Sequence, residues 1–104
     1  MNPNNKANAY LMKEIAEASP QKLLLKTYDF AIVHYQRGDY YKANKAVTEL
    51  INSLNFTDEN TKDISLGLLR LYQFTQEMGR KGNFAVSVKI LQDLRDTWQI
   101  VFTR

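Results

Sequence analysis

The residue types that carry catalysis or bind metals are sparse in this chain. Its 104 residues include one histidine, His34, and no cysteine. A cysteine nucleophile, a disulfide framework and a thiolate metal site are therefore excluded. A zinc site would need further histidine or cysteine ligands, which the sequence does not supply. We interpret His34 as a residue at the surface or boundary of a helix.

The remaining polar residues fit no catalytic pattern. The acidic residues lack the spacing of a calcium-binding loop, and the Glu-x-x-His motif of a di-metal bundle does not occur. No glycine-rich loop follows a strand, so no phosphate cradle is predicted. Nothing in the sequence marks a nucleophile elbow. We therefore expect a protein that is not an enzyme and that uses no metal or cofactor.

The charge balance predicts an ordinary mixed surface. The net charge is +3 and the isoelectric point is about 9.2. Nucleic-acid binding needs basic residues gathered on one face, whereas the densest local groups here are only Arg80-Lys81 and Lys42 with Lys45. No stretch approaches the roughly 18 apolar residues of a membrane span, and residues 1–6 contain no apolar signal region. We expect neither a nucleic-acid nor a membrane partner, and a cytoplasmic location.

Helix signals dominate the chain, which contains only two prolines and four glycines. The polar residues 1–8 are expected to be disordered, and a short helix or segment follows from residue 9. Ser19-Pro20 is the clearest helix start, since serine can cap free N–H groups and proline fits the first helical position. Gly38 should end this helix, and Asp39 should cap the next one.

Apolar residues recur at steps of three and four in four successive segments, which is the period of amphipathic helices. No segment shows the alternation of a half-buried strand. Gly79 and Gly82 should end the third helix, and Asn83 should cap the fourth. The predicted core-facing stripes are Leu24, Leu25, Tyr28, Ile32 and Tyr35; Ala43, Ala46, Val47, Leu50, Ile51 and Leu54; Ile64, Leu68, Leu71, Tyr72, Thr75 and Met78; and Phe84, Val88, Leu91, Leu94, Trp98 and Val101 or Phe102.

The two halves of the chain align without a gap at an offset of 44 residues. Identical pairs are Leu24/Leu68, Leu25/Leu69, Tyr28/Tyr72, Phe30/Phe74, Gly38/Gly82, Lys45/Lys89 and Leu50/Leu94. We prefer duplication, or at least equal packing roles, to chance similarity. The repeated unit is a helical hairpin, at about residues 20–56 and 61–102. Two such hairpins predict an all-α fold, an antiparallel four-helix bundle, as a single domain over residues 9–104.

Several large apolar residues lie off the predicted stripes, in a chain with six tyrosines, five phenylalanines and one tryptophan. Two interpretations remain open at this point. The core face could be wide, or some of these residues could line grooves for an amphipathic partner helix. The off-stripe residues are Tyr10, Leu11, Leu23, Phe30, Tyr40, Tyr41, Leu66, Leu69, Phe74, Val86, Ile90 and Ile100.

An ordered set of short motifs resembles the FliS-type flagellar secretion chaperones over about residues 8–101. The motifs are Asn8-Ala9-Tyr10, Ala18-Ser19-Pro20, Tyr28-Asp29, Gly38-Asp39 with Lys42-Ala43, Glu49-Leu50, Leu71-Tyr72, and Leu94-Arg95 with Trp98. Thr27, Phe30 and Gln73 depart from the family pattern. Both hairpins are also shorter than in a typical member, which reduces the outer surface of the bundle.

The resemblance implies a chaperone that binds the disordered C-terminal segment of flagellin in the cytoplasm. Binding would prevent premature polymerisation and would deliver flagellin to the type III export apparatus. The implied cover of the binding groove is Tyr10, Leu11 and Ile15, and the implied groove residues are Leu23, Leu69 and Tyr72. For Tyr72, a place in the bundle core is an equal alternative. The chaperone would be a monomer or a weak homodimer.

Two alternative functions remain open from the sequence. Gly38-Asp39-Tyr40 with Ala43 is similar to the turn of a tetratricopeptide-like adaptor, although such repeats need three or more copies of about 34 residues. The second alternative is a bundle that has lost the flagellin role and acts as an interaction adaptor for another client.

Overall fold

The computed structural model describes residues 19–104, which form four helices and no strand. The helices are α1 (Pro20–Gln36), α2 (Tyr40–Asn52), α3 (Lys62–Arg80) and α4 (Phe84–Phe102). Each helix packs against the next along the chain, and α4 packs back against α1. This closed ring confirms the all-α antiparallel four-helix bundle. It does not fit a tetratricopeptide-like solenoid, in which each repeat contacts only its neighbours. The predicted disorder of residues 1–8 and the segment from residue 9 lie outside the described residues.

The first two helices begin with the predicted caps. Ser19 Oγ accepts a hydrogen bond from the Lys22 N–H at 3.2 Å, and Pro20 occupies the first turn. Asp39 Oδ1 accepts from the Lys42 N–H at 3.1 Å. These side chains satisfy backbone donors that the helix itself leaves without partners. The third and fourth helices follow Thr61 and Asn83, whose side chains make no capping hydrogen bond.

Each hairpin turns at a glycine that adopts a left-handed conformation. The φ angle is +74° at Gly38 and +82° at Gly82, a region that residues with a Cβ atom rarely adopt. Their N–H groups donate to the carbonyl oxygens of Tyr35 and Gly79, both at 3.0 Å. The prediction that Gly79 ends the third helix is wrong, because α3 continues to Arg80.

Four pairs of equivalent core positions in the two hairpins are buried to the same degree. Residues 44 apart fill matching places in the core, which supports equal packing roles for the two hairpins. The fully or almost fully buried pairs are Tyr28/Tyr72, Ala31/Thr75, Ala43/Ser87 and Val47/Leu91. Ser87 Oγ satisfies its hydrogen-bonding need within the second hairpin by donating to the Thr75 carbonyl oxygen at 2.8 Å.

The core-facing stripe of α3 differs from the prediction. Ile64 and Leu71 are 60% and 41% exposed, whereas Ser65 and Gly79, which lie off the predicted stripe, are buried. Tyr72 and Thr75 are buried as predicted. Polar residues can be buried at this interface because their hydroxyl groups donate hydrogen bonds to backbone carbonyl oxygens. Ser65 Oγ donates to the Asn55 carbonyl oxygen, and Thr75 Oγ1 donates to the Leu71 carbonyl oxygen. A pattern of apolar residues alone therefore misses the small and polar residues that α3 buries. The stripes of α1 and α2 are confirmed, with Leu25 half-buried at the edge.

A buried hydrogen-bonded cluster joins the two hairpins. The hydroxyl groups of Tyr28 and Tyr72 form a hydrogen bond, and Trp98 Nε1 donates to the Tyr28 hydroxyl at 3.0 Å. At the surface, the guanidinium group of Arg95 on α4 donates two hydrogen bonds to the carboxylate of Asp29 on α1. Because both interactions involve residues distant in sequence, they help to fix how the hairpins pack.

Burial should make the bundle sensitive to alkaline pH. It raises the pKa of the Tyr28, Tyr35 and Tyr72 hydroxyl groups above the ordinary value near 10. Above pH 10 the tyrosine hydroxyl groups ionise in the unfolded chain but stay protonated in the folded protein, because their folded-state pKa is raised. The stability that they contribute is therefore complete below pH 10 and is lost progressively above it. We predict that the free energy of unfolding falls above pH 10 by up to roughly 1.4 kcal/mol per pH unit for each group.

Chemical denaturation between pH 8 and pH 11.5 would measure this dependence. Tyr72→Phe is the control, since it should remove the contribution of one group and flatten the slope. Equal slopes for the wild type and Tyr72→Phe would contradict the assignment to the buried hydroxyl groups.

Candidate partner-binding groove

Helix α1 carries a second apolar stripe that does not face the core. Leu23, Thr27 and Phe30 recur at steps of four and three, so they share one face of the helix. Leu23 is 50% exposed and Phe30 is 48% exposed. On the adjacent helix α2, Tyr41 is 77% exposed. Large apolar side chains therefore remain in contact with solvent along the seam between the first two helices.

These side chains line a groove with a volume of about 580 Å³, which we call the α1–α2 groove. Ala46 is almost fully buried and contributes a small side chain to its lining. Leu23 and Phe30 lie seven positions apart along α1, which is about 10 Å, or two helical turns. The α1–α2 groove is lined by Leu23, Lys26, Thr27, Phe30, Tyr41, Lys42, Lys45, Ala46 and Glu49.

The charged residues of the groove are mostly basic. Lys26 lies on α1, while Lys42 and Lys45 lie on α2, so both sides of the groove carry a cation. Glu49 is the one carboxylate among the lining residues. Within residues 19–104, no ion pair involves any of these three lysines. These lysines give this part of the first hairpin a local excess of positive charge within the mixed surface.

The corresponding face of the second hairpin differs in composition. Phe74 matches Phe30 and is equally exposed, at 47%. However, Gly67 stands at the position equivalent to Leu23, and Ala85 at that of Tyr41. The lysine equivalent to Lys45 is Lys89, and its ammonium group lies 3.0 Å from the carboxylate of Asp93. The second hairpin thus replaces two apolar walls with small residues and neutralises one of the cations.

The structure places the predicted site residues in different environments. Leu23 lines the α1–α2 groove, and its part in binding a partner stays a prediction. Leu69 is half-buried on α3 and does not line this groove. Tyr72 is only 2% exposed and is hydrogen-bonded to Tyr28, so its prediction as a groove residue is corrected in favour of the core alternative. The predicted cover residues, Tyr10, Leu11 and Ile15, lie outside the described residues.

Several groove residues were not among the predicted site residues. Phe30 and Tyr41 stood out only as large apolar residues off the core stripe. The sequence signal that identifies Phe30 is its spacing from Leu23 and Thr27, which defines a second stripe on α1. Lys26, Lys42 and Lys45 could not be recognised in this way. They come together only when α1 and α2 pack side by side.

A second depression, of about 490 Å³, lies at the end of the bundle near the Gly38 turn. It involves Tyr35, Arg37, Gly38 and Phe84, among others. None of the exposed large apolar side chains of residues 19–104 lines it. The same part of the chain contains no group of three or more residues placed to hold a metal ion, and none of its helices is long and apolar enough to cross a bilayer. The α1–α2 groove is therefore the stronger candidate site.

Comparisons of the chain with protein-family models, with curated proteins and with solved structures give no match. The functional interpretation therefore depends on the motifs in the sequence and on the groove.

Proposed function

We propose that this protein is a cytoplasmic flagellar export chaperone without catalytic activity, and that the α1–α2 groove binds the C-terminal segment of flagellin. Bound in this way, the segment would be unavailable for polymerisation and could be delivered to the type III export apparatus. The observation that carries the proposal is the exposure of Leu23, Phe30 and Tyr41 along one groove of the bundle. The ordered motifs that resemble the flagellar chaperones support the choice of client.

The dimensions of the groove suit a helical segment. A helix that lies along it would bury two turns of apolar residues between α1 and α2, as in other helix-in-groove complexes. A disordered client loses conformational entropy when it folds, and it recovers that cost by burying apolar surface. By the resemblance, the segment containing Tyr10, Leu11 and Ile15 would cover the groove in the free protein and leave it when the client binds.

Phe30→Asp should abolish or strongly weaken binding of a C-terminal flagellin peptide from the same organism. The substitution removes an aromatic anchor and places a carboxylate in an apolar groove, which should lower the affinity at least tenfold. Isothermal titration calorimetry would measure the change. Phe74→Asp is a closely matched control, because Phe74 occupies the equivalent position of the second hairpin and has nearly the same exposure.

The two variants separate the possible outcomes. If the wild type and Phe74→Asp bind the peptide while Phe30→Asp does not, and all three are folded by circular dichroism, the proposal stands. If both variants bind as tightly as the wild type, the α1–α2 groove is not the binding site. If the wild type shows no binding, the flagellin role is wrong, and the alternative of an adaptor for another client takes its place.

A further inference from the structure

The arrangement of charge around the α1–α2 groove restricts the kind of helix that it can accept. Lys26 is on one side of the groove, and Lys42 and Lys45 are on the other. Because none of these ammonium groups is engaged in an ion pair within residues 19–104, each can interact with a ligand. Glu49 offsets only one of the three charges.

The apolar side chains between the lysines determine the type of partner. Double-stranded nucleic acid would present phosphates but no apolar stripe to contact Leu23 and Phe30. An amphipathic helix presents an apolar stripe with polar residues on both flanks, at positions three and four residues apart. If those flanking residues are aspartate or glutamate, they meet the lysines on either side of the groove. Lysine or arginine at the same positions would meet like charges, which disfavours binding.

We propose that the α1–α2 groove selects an amphipathic helix of two to three turns whose apolar stripe is flanked by carboxylates, with Lys26, Lys42 and Lys45 as the selecting residues. This inference depends on the proposed function, since it specifies which helix of the client docks in the groove. It also distinguishes the two hairpins. On the second hairpin Lys89 is already paired with Asp93, so the equivalent face offers less charge to a ligand.

Three synthetic peptides would test the selection directly. Each is an 18-residue amphipathic helix with the same leucine stripe, and the flanking positions carry glutamate, glutamine or lysine. Fluorescence anisotropy of labelled peptides would give the dissociation constants. We expect the glutamate peptide to bind most tightly and the lysine peptide most weakly. The preference for glutamate should shrink between 50 and 500 mM NaCl, because salt screens interactions between exposed charges.

The double variant Lys26→Gln/Lys45→Gln identifies the selecting residues. It should weaken binding of the glutamate peptide roughly three- to tenfold, a range set by the modest strength of exposed ion pairs. Binding of the glutamine peptide should change little. The matched control is Arg70→Gln/Lys89→Gln, which alters the equivalent positions of the second hairpin and should leave both affinities unchanged.

Failure of this inference can be told apart from failure of the proposed function. Equal affinities for the three peptides, or equal losses in both double variants, would overturn the charge selection even if the flagellin peptide binds. If the protein prefers the glutamate peptide among the three synthetic peptides but does not bind the flagellin peptide, the inference is supported and flagellin is rejected as the client. Groove-dependent binding to vesicles of anionic lipid, with no discrimination among the peptides, would overturn it in favour of a membrane surface.

Discussion

The Gly79→Ala variant should be less stable than the wild type by about 0.5–2 kcal/mol. A Cβ atom at this position would lie 2.5 Å from Cε1 of Tyr35, which is fully buried and cannot move without disturbing the core. Overpacking of this kind costs more than the gain of up to about 1 kcal/mol that alanine offers over glycine within a helix. Urea denaturation followed by circular dichroism would measure the free energy of unfolding.

Gly67→Ala is the matched control for this effect. Gly67 lies in the same helix, but its surroundings are open, with no atom within 4 Å of an added Cβ. The same substitution should therefore raise stability there by about 0.5–1 kcal/mol. If the two substitutions change the free energy of unfolding in opposite directions within one helix, the contact between Tyr35 and Gly79, rather than helix propensity, decides the effect at Gly79. A stabilised Gly79→Ala variant would contradict the tight packing of Tyr35 on Gly79.

The Tyr28→Phe variant should lose about 2–4 kcal/mol of stability, more than Tyr72→Phe, for which we expect about 1 kcal/mol. The Tyr28 hydroxyl accepts from Trp98 and is also bonded to Tyr72, so its loss leaves both of those groups without their partner. Removing the Tyr72 hydroxyl leaves the bond between Trp98 and Tyr28 intact. A buried polar group without a partner costs roughly 1–3 kcal/mol, which sets the order of the two variants.

Thermal unfolding would give this order directly, since 1 kcal/mol corresponds to a shift of about 4–8 °C in Tm for a domain of this size. Both substitutions delete the same atom from equivalent tyrosines, so differences in volume cancel. Equal losses would mean that the bond to Trp98 contributes no more than a contact with water would.

The sequence predicts the architecture well where local signals and apolar spacing agree. Ser19-Pro20 and Asp39 mark helix starts by satisfying backbone donors, and the 44-residue offset identifies the matched hairpins. The sequence pattern fails on α3 because Ser65 and Gly79 have little apolar surface and are nevertheless buried. Ser65 meets its need through the Asn55 carbonyl oxygen, and Gly79 makes room for the Tyr35 ring. Neither partner can be read from the spacing along one helix.

The candidate groove was only partly predictable. Leu23 was identified, but Tyr72 was misplaced because a core tyrosine and a groove tyrosine have the same spacing in the sequence. The hydroxyl partner that allows Tyr72 to be buried lies 44 residues away. The basic residues on the two sides of the groove come from different helices, so their proximity is a property of packing rather than of any local run of charge.

The contact between Tyr28 and Tyr72 has a consequence for how two equivalent hairpins can differ. The two hydroxyl groups share one hydrogen bond in which only one of them can donate, so perfect symmetry between the hairpins would leave the direction of that bond undetermined. Trp98 makes the two hydroxyl groups inequivalent by donating to Tyr28 alone, whereas Leu54, at the equivalent position of the first hairpin, has no polar hydrogen to donate. A homodimer of one hairpin would carry the same residue at both equivalent positions, so it could not present a hydrogen-bond donor to only one of the two tyrosines. In a single chain the two equivalent positions can carry different residues, as Leu54 and Trp98 do, so the two tyrosines can have different hydrogen-bond partners.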